Sequence, residues 1–170
     1  LEAARQELCD RITDLNQCGL INVDLSDILA SVPMETDIGK NITDVVHVQE
    51  CIPEIKEEKE KLFSLLGELV PEHVPIASST SFLPMSTLAT TIKNRERCLV
   101  IHPGNPPYLL RIAEIVPAPF TSDDAIRTSA ELMVSVGMNP IILRKETKGF
   151  VFNRLQGALL NEAYSLVQDG

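Results

Sequence analysis

Of the three histidines in the 170-residue chain, His102 stands where the apolar run Cys98 to Ile101 gives way to the turn-forming Pro103-Gly104-Asn105-Pro106-Pro107. An imidazole at the end of a strand, oriented and with a pKa near working pH, is what removal of a hydroxyl proton asks for. Twelve residues on, Glu114 interrupts the apolar Ile112-Ala113-Glu114-Ile115-Val116. A carboxylate in that setting needs a partner, and one bonded to the second ring nitrogen of His102 would fix its tautomer and stabilise the imidazolium. Taken singly, each residue has a plainer reading: a histidine satisfied by loop carbonyls, and a glutamate facing outward from an edge strand.

Other polar groups gather in the same way. Ser78-Ser79-Thr80-Ser81 follows Val74 to Ala77 and reads as a loop or helix cap, or as a set of hydroxyls for a polar ligand. Asn153-Arg154 opens an apolar helix after Gly149, either as a surface pair or as part of a site. Glu54 and Lys59 lie in a heavily charged segment whose ordinary reading is a solvated stripe. No nucleophile constellation and no metal-ligating cluster is visible, and Cys9, Cys18, Cys51 and Cys98 form no CxxC pair. The eight glycines make no GxGxxG phosphate cradle.

The elements that must position these groups are legible from periodicity. Helices are expected over Leu1–Gln17 (ended by Gly19), Asp37–Thr43, Glu54–Leu69, near Pro84–Thr91, over Ser122–Val136 and over Gly149–Val167. Strands are expected at Ile28–Val32, Val45–Glu50 (with His47 in mid-strand), Val74–Ala77, Cys98–Ile101, Ile112–Val116 and Pro140–Arg144. Such alternation argues for βαβ units, and so for an α/β fold with a parallel sheet and helices on both faces. Ligands then bind beyond the carboxyl ends of the strands, the edge that carries Glu50-Cys51, Ser78–Ser81, and His102 with Asn105. Residues 1–145 read as this domain, and 146–170 as a linker followed by the last helix.

Composition narrows the classes of function. Hydrophobic residues make up 44% and charged residues 23% of the chain, the mix of a globular domain and not of a disordered one. Fifteen basic against 24 acidic residues leave a net charge of −9, which disfavours nucleic acid and anionic membrane surfaces as partners. No apolar run approaches the length of a membrane span, and the first ten residues are not signal-like. A reducing, cytoplasmic setting is expected.

The ordered motifs Val48-Gln49-Glu50-Cys51-Ile52-Pro53-Glu54 with Lys59, Ser78–Ser81, His102-Pro103-Gly104-Asn105-Pro106, Glu114-Ile115-Val116 and Gly149-Phe150-Val151-Phe152-Asn153-Arg154-Leu155 together resemble the 3-hydroxyacyl-CoA dehydrogenase superfamily. The Ser-Ser-Thr-Ser run and the loop after His102 resemble its branch of lambda-crystallin and L-gulonate 3-dehydrogenases. The acyl-CoA branch usually carries Ser-Asn-Thr-Ser and His-Phe-Phe-Asn-Pro.

This resemblance implies a Rossmann-like, doubly wound, mostly parallel sheet that binds NAD, followed by the first helix of an all-α dimerisation domain. The implied reaction is NAD-dependent oxidation of a 3-hydroxyl to a ketone. His102 would be the base and Glu114 its orienting partner. Ser81, Asn105 and Asn153 would contact or shape the substrate site, and Glu54, Lys59, Ser79 and Ser81 would lie near the cofactor. The resemblance further implies that the strand, Gly-rich turn and helix that open the fold lie upstream, so that the chain is an internal fragment, inactive alone, of a homodimer. The expected substrate is a small polyol acid such as L-gulonate. Acyl-CoA is the alternative, although between Leu1 and Ile38 only Arg5 and Arg11 are basic. A non-catalytic, crystallin-like role is the third reading.

Overall fold

A computed structural model describes residues 1–40 and 42–170, in two compact units, 1–41 and 42–170. The first is a helical pair, α1 (Glu2–Gln17) and α2 (Leu25–Ser31). Asn16 clamps the connection by donating from Nδ2 to the Val23 carbonyl and accepting the Val23 N–H on Oδ1, at 2.9 and 3.1 Å. Asp24 then caps α2 by accepting the Ser26 N–H at 2.7 Å. The expected strand at Ile28–Val32 is thus a helix, because an N-cap aspartate two residues ahead of Ser26 fixes a helical start that a short apolar run cannot override. The helix expected at Asp37–Thr43 is also corrected: the described residues there form turns, and Asn41 lies outside the described residues.

The second unit is a five-stranded sheet in the order β1 (Val48–Glu50), β2 (Ile76–Ser78), β3 (Cys98–Pro103), β4 (Ile112–Pro117), β5 (Asn139–Ile142). Three neighbouring pairs are parallel, and β3–β4 is antiparallel. The exception has a simple cause. Residues 104–111 between β3 and β4 contain no helix, and a parallel return needs a crossover of a dozen residues or more. β1 is shorter than expected, so His47 stands just before the strand and not within it.

Helices cover both faces, and strand alternation sorts the core between them. Ile76, Cys98, Val100 and Val116 meet Phe63 and Leu66 of α3 (Lys56–Leu69), Met85 and Leu88 of the single-turn α4 (Met85–Leu88), and Phe150. On the opposite face Ala77, Leu99, Ile101, Ala113 and Ile115 meet Ile126, Ala130 and Met133 of α5 (Asp123–Ser135). Ser122 caps α5 by accepting the Ala125 N–H at 3.2 Å. The buried Arg97 guanidinium donates to the carbonyls of Gly67 and Val70 at 3.1 and 2.9 Å and to that of Pro71, satisfying the carboxyl end of α3. The last helix, α6 (Phe152–Asp169), buries none of its residues. No helix among the described residues is long and apolar enough to cross a membrane.

Candidate active site

His102 and Glu114 are directly opposite one another in the β3–β4 ladder, and paired positions carry their side chains on the same face. His102 Nδ1 lies 2.8 Å from Glu114 Oε2, with the two side chains 8% and 2% exposed. The other carboxylate oxygen, Oε1, accepts the backbone N–H groups of Val151 and Phe152, each at 2.8 Å. Those donors are aimed by two successive left-handed residues, Gly149 at φ +74° and Phe150 at φ +50°. Glycine takes that conformation freely, whereas phenylalanine does so only when its surroundings hold it there. Phe150 is fully buried, and its ring lies 5.3 Å from the His102 ring, with Phe152 at 6.4 Å on an edge-on approach.

The carboxylate is therefore held on both oxygens, with Oε1 bonded to the N–H groups that open α6. Nδ1 of His102 faces this acceptor, which puts its proton there. Nε2 has no hydrogen-bond partner among the described residues. The arrangement is that of a base held in one tautomer with its lone pair free to take a proton.

Beside this pair, the carboxyl ends of β1 and β2 hold a second, buried network. Glu50, only 3% exposed, accepts from Lys59 Nζ at 2.7 Å and the Ile52 N–H at 2.6 Å on Oε1, and from Ser78 Oγ at 2.5 Å on Oε2. Lys59 is 1% exposed and uses its remaining donors on the Ile52 carbonyl at 3.0 Å and on Glu54 Oε2 at 3.3 Å. All three Nζ protons have acceptors, so Lys59 is no part of a solvated stripe and offers no free donor to a ligand. Its place is to hold the loop from Glu50 to Glu54. Glu54 is partly exposed and also accepts from Thr80 Oγ1. Thr80 Oγ1 in turn accepts the N–H groups of Phe82 and Leu83 at 3.2 and 2.8 Å, which shapes the turn that presents Ser81.

The remaining expected site residues are distributed around these two networks. Ser81 is exposed, its hydroxyl has no partner among the described residues, and its carbonyl accepts from Asn153 Nδ2 at 3.0 Å. That bond joins the β2 loop to α6. Ser79 is half-buried and accepts from Gln49 Nε2 at 2.8 Å. Asn105 is exposed in the loop after β3 and makes no side-chain hydrogen bond with a described residue. Sequence reasoning missed the buried roles of Glu50, Ser78 and Thr80, and the contribution of Phe150. One signal was available: Lys59, Phe63, Leu66 and Val70 share a helical stripe, and a lysine inside an apolar stripe calls for a buried counter-ion.

The carboxyl edge of a mostly parallel, helix-covered sheet thus carries a histidine–carboxylate pair, and comparison with known proteins gives the family. The family model for the 3-hydroxyacyl-CoA dehydrogenase NAD binding domain matches residues 1–147, and the chain belongs to that family. Over all of its length it is 38% identical to lambda-crystallin of Oryctolagus cuniculus, in an alignment of 172 residues that takes in 53% of that protein. It is 40% identical over 129 residues to L-carnitine dehydrogenase of Pseudomonas syringae pv. syringae, covering 76% of this chain and 41% of the relative. Among solved structures, 3-hydroxybutyryl-CoA dehydrogenase from Escherichia coli K12 matches with a TM-score of 0.88 at 26% identity, over 99% of this chain and 36% of that one. The chain spans about half the length of the lambda-crystallin relatives it matches.

Proposed function

We propose that the full-length protein is an NAD-dependent dehydrogenase that oxidises the 3-hydroxyl of a small hydroxy acid to a ketone, with L-gulonate as the first substrate to test. The observation that carries this reading is the His102–Glu114 pair, in which Glu114 is held on both oxygens and His102 Nε2 is left without a partner.

The residues beside the pair fit the nicotinamide riboside half of NAD. The carboxyl edge offers uncharged hydroxyls on Ser79 and Ser81 and the partly exposed carboxylate of Glu54, groups suited to ribose hydroxyls and a carboxamide. Bound NAD would supply the hydride acceptor. His102 would take the substrate hydroxyl proton at Nε2 while Glu114 stabilises the resulting imidazolium. Ser81, through its free hydroxyl, and Asn153, which already holds the Ser81 carbonyl, would place the reacting oxygen, and Asn105 would shape the loop beyond His102. Lys59 would act through the Glu50–Glu54 loop and not by direct contact.

The relative named L-carnitine dehydrogenase supports a small hydroxy acid. The relative from Gibberella moniliformis named 3-hydroxyacyl-CoA dehydrogenase, 39% identical over 148 residues, supports the second reading, an acyl-CoA substrate. Against that, the phosphates of coenzyme A call for clustered lysine or arginine, and residues 1–38 supply only Arg5 and Arg11. A homodimer is the assembly we expect, since α6 exposes Leu155, Leu159 and Val167.

The test offers L-gulonate, L-carnitine and 3-hydroxybutyryl-CoA to the full-length protein with NAD. A kcat/KM for a free hydroxy acid about tenfold or more above that for the CoA ester is expected. A preference for the CoA ester would replace this substrate reading by the second.

A further inference from the structure

On the α5 side of the sheet, a row of hydrogen bonds reaches the carboxyl edge with a direction that the chemistry fixes. Gln49, in the middle of β1, places Nε2 3.1 Å from the carbonyl oxygen of Ile101. That oxygen only accepts, so the amide has one orientation. The same Nε2 lies 2.8 Å from Ser79 Oγ, and its two protons serve one acceptor each. Gln49 Oε1 then faces His47 Nε2 at 2.9 Å, and His47 has to donate there. Its Nδ1 is buried without a partner among the described residues, the proper state for an unprotonated nitrogen. Burial also holds the imidazole below its usual pKa, against a smaller opposing effect of the Gln49 bond.

Protons therefore point one way, from His47 to Gln49 and from Gln49 to Ser79. Ser79, already an acceptor, has its own hydroxyl proton left to give. On its other side lies Cys51 Sγ at 3.1 Å, an exposed thiol just after β1, and because the S–H faces the Gln49 carbonyl at 3.9 Å the sulfur is left to accept. Gln49 also spans the strand ends, since Ile101 lies one residue beyond the last β2–β3 rung at Ser78 and Val100.

We infer that Gln49, backed by His47, is a positioning residue that commits the Ser79 hydroxyl to donate to an acceptor oxygen of the bound nicotinamide riboside, with Cys51 as the resting acceptor. The inference rests on the NAD reading above and adds a direction to it. A serine alone can donate or accept. Here the amide behind it takes one lone pair and leaves the hydroxyl proton to point away from Gln49.

The test measures NADH binding to the full-length protein by titration calorimetry, together with alkylation of Cys51 in the dinucleotide-free protein, read at its own peptide. Gln49→Glu is nearly isosteric but puts an acceptor where the donor was, so the Ser79 proton turns inward. Gln49→Met removes the donor without adding charge, and covers the case in which the charged variant fails to fold. Ser79→Ala is expected to weaken NADH binding about fivefold to tenfold, Gln49→Glu by a similar factor, and Gln49→Met about threefold. The Ser79→Ala/Gln49→Glu double variant should bind no more weakly than Ser79→Ala, because the two act through one group. Cys51 alkylation should change about twofold or more in Gln49→Met, which adds no charge, as the Ser79 proton is no longer turned toward Sγ.

Unchanged NADH affinity in both Gln49 variants beside a loss in Ser79→Ala would overturn the positioning role, as would full additivity in the double variant. Failure of the unsubstituted protein to bind NADH would instead overturn the dinucleotide reading on which the inference stands.

Discussion

Glu114 meets His102 across the antiparallel β3–β4 ladder at 2.8 Å, and its second oxygen takes the two N–H groups that open α6. The base is thus set by a strand pairing and by a helix start together. Glu114→Gln keeps the shape but carries an amide, whose NH2 either meets the Val151 and Phe152 N–H groups, donor against donor, or faces His102 Nδ1 and forces the tautomer whose proton sits on Nε2. The variant of the full-length protein is expected to lose kcat by about 10²- to 10⁴-fold with little change in the Michaelis constant for NAD. Steady-state kinetics would decide it, and a kcat within threefold of the unsubstituted protein would remove the orienting role.

The turn before α6 carries its own cost. Gly149→Ala puts a side chain at φ +74° and is expected to lower stability by about 1–2 kcal/mol. Phe150→Ala, at a fully buried position against the His102 ring, is expected to cost about 3–5 kcal/mol. Urea unfolding reads both, and equal midpoints for the two variants would show that the turn and not the ring carries the packing.

How far these features were legible in the sequence depends on the range of the signal. The long helices α1, α3, α5 and α6 follow from apolar periodicity, and Cys98–Ile101 and Ile112–Val116 from β-branched runs bounded by turn residues. Ile28–Val32 fails as a strand because five residues carry no reliable period, and the Asp24 cap decides the matter locally. The antiparallel step was readable only from connection length. At the site, His102 and Glu114 could be nominated from their settings, but their opposition depends on register, which no local pattern encodes. The burial of Glu50 was hidden because a buried carboxylate looks, residue by residue, like surface charge, and only the apolar stripe around Lys59 pointed to it.

That buried pair gives a sharp stability prediction. Lys59→Met leaves Glu50, with 3% exposure, holding an uncompensated carboxylate, and is expected to cost about 3–5 kcal/mol. The double variant Lys59→Met/Glu50→Gln should recover a large part of that loss, as chemical denaturation would report. A single variant as stable as the unsubstituted protein would mean that the pair contributes nothing to the fold.

His47 makes stability depend on pH. Burial holds its pKa below the ordinary value of 6.5, so the unfolded chain binds its proton first as the pH falls. Stability from this group is complete above about pH 6.5 and is lost as the pH drops through the lower folded value. His47→Gln should flatten the decline in unfolding free energy below about pH 6.5. An identical pH dependence in that variant would assign the decline to other groups.

Cys98 sits at the start of β3, fully buried, and burial pushes its thiol up to about 12. At pH 8 it should resist alkylation in the folded protein, whereas the exposed Cys18 and Cys51 react. Modification of Cys98 at the rate of Cys51, read by peptide mass spectrometry, would contradict the packing described here.

The most direct test of the account is His102→Ala in the full-length protein, assayed for NAD reduction with L-gulonate beside a separate measurement of NADH binding. The account predicts that turnover falls by about 10³-fold or more while NADH affinity stays within about threefold. Turnover retained in His102→Ala would contradict it, because no other histidine among the described residues is paired with a carboxylate at the carboxyl edge of the sheet.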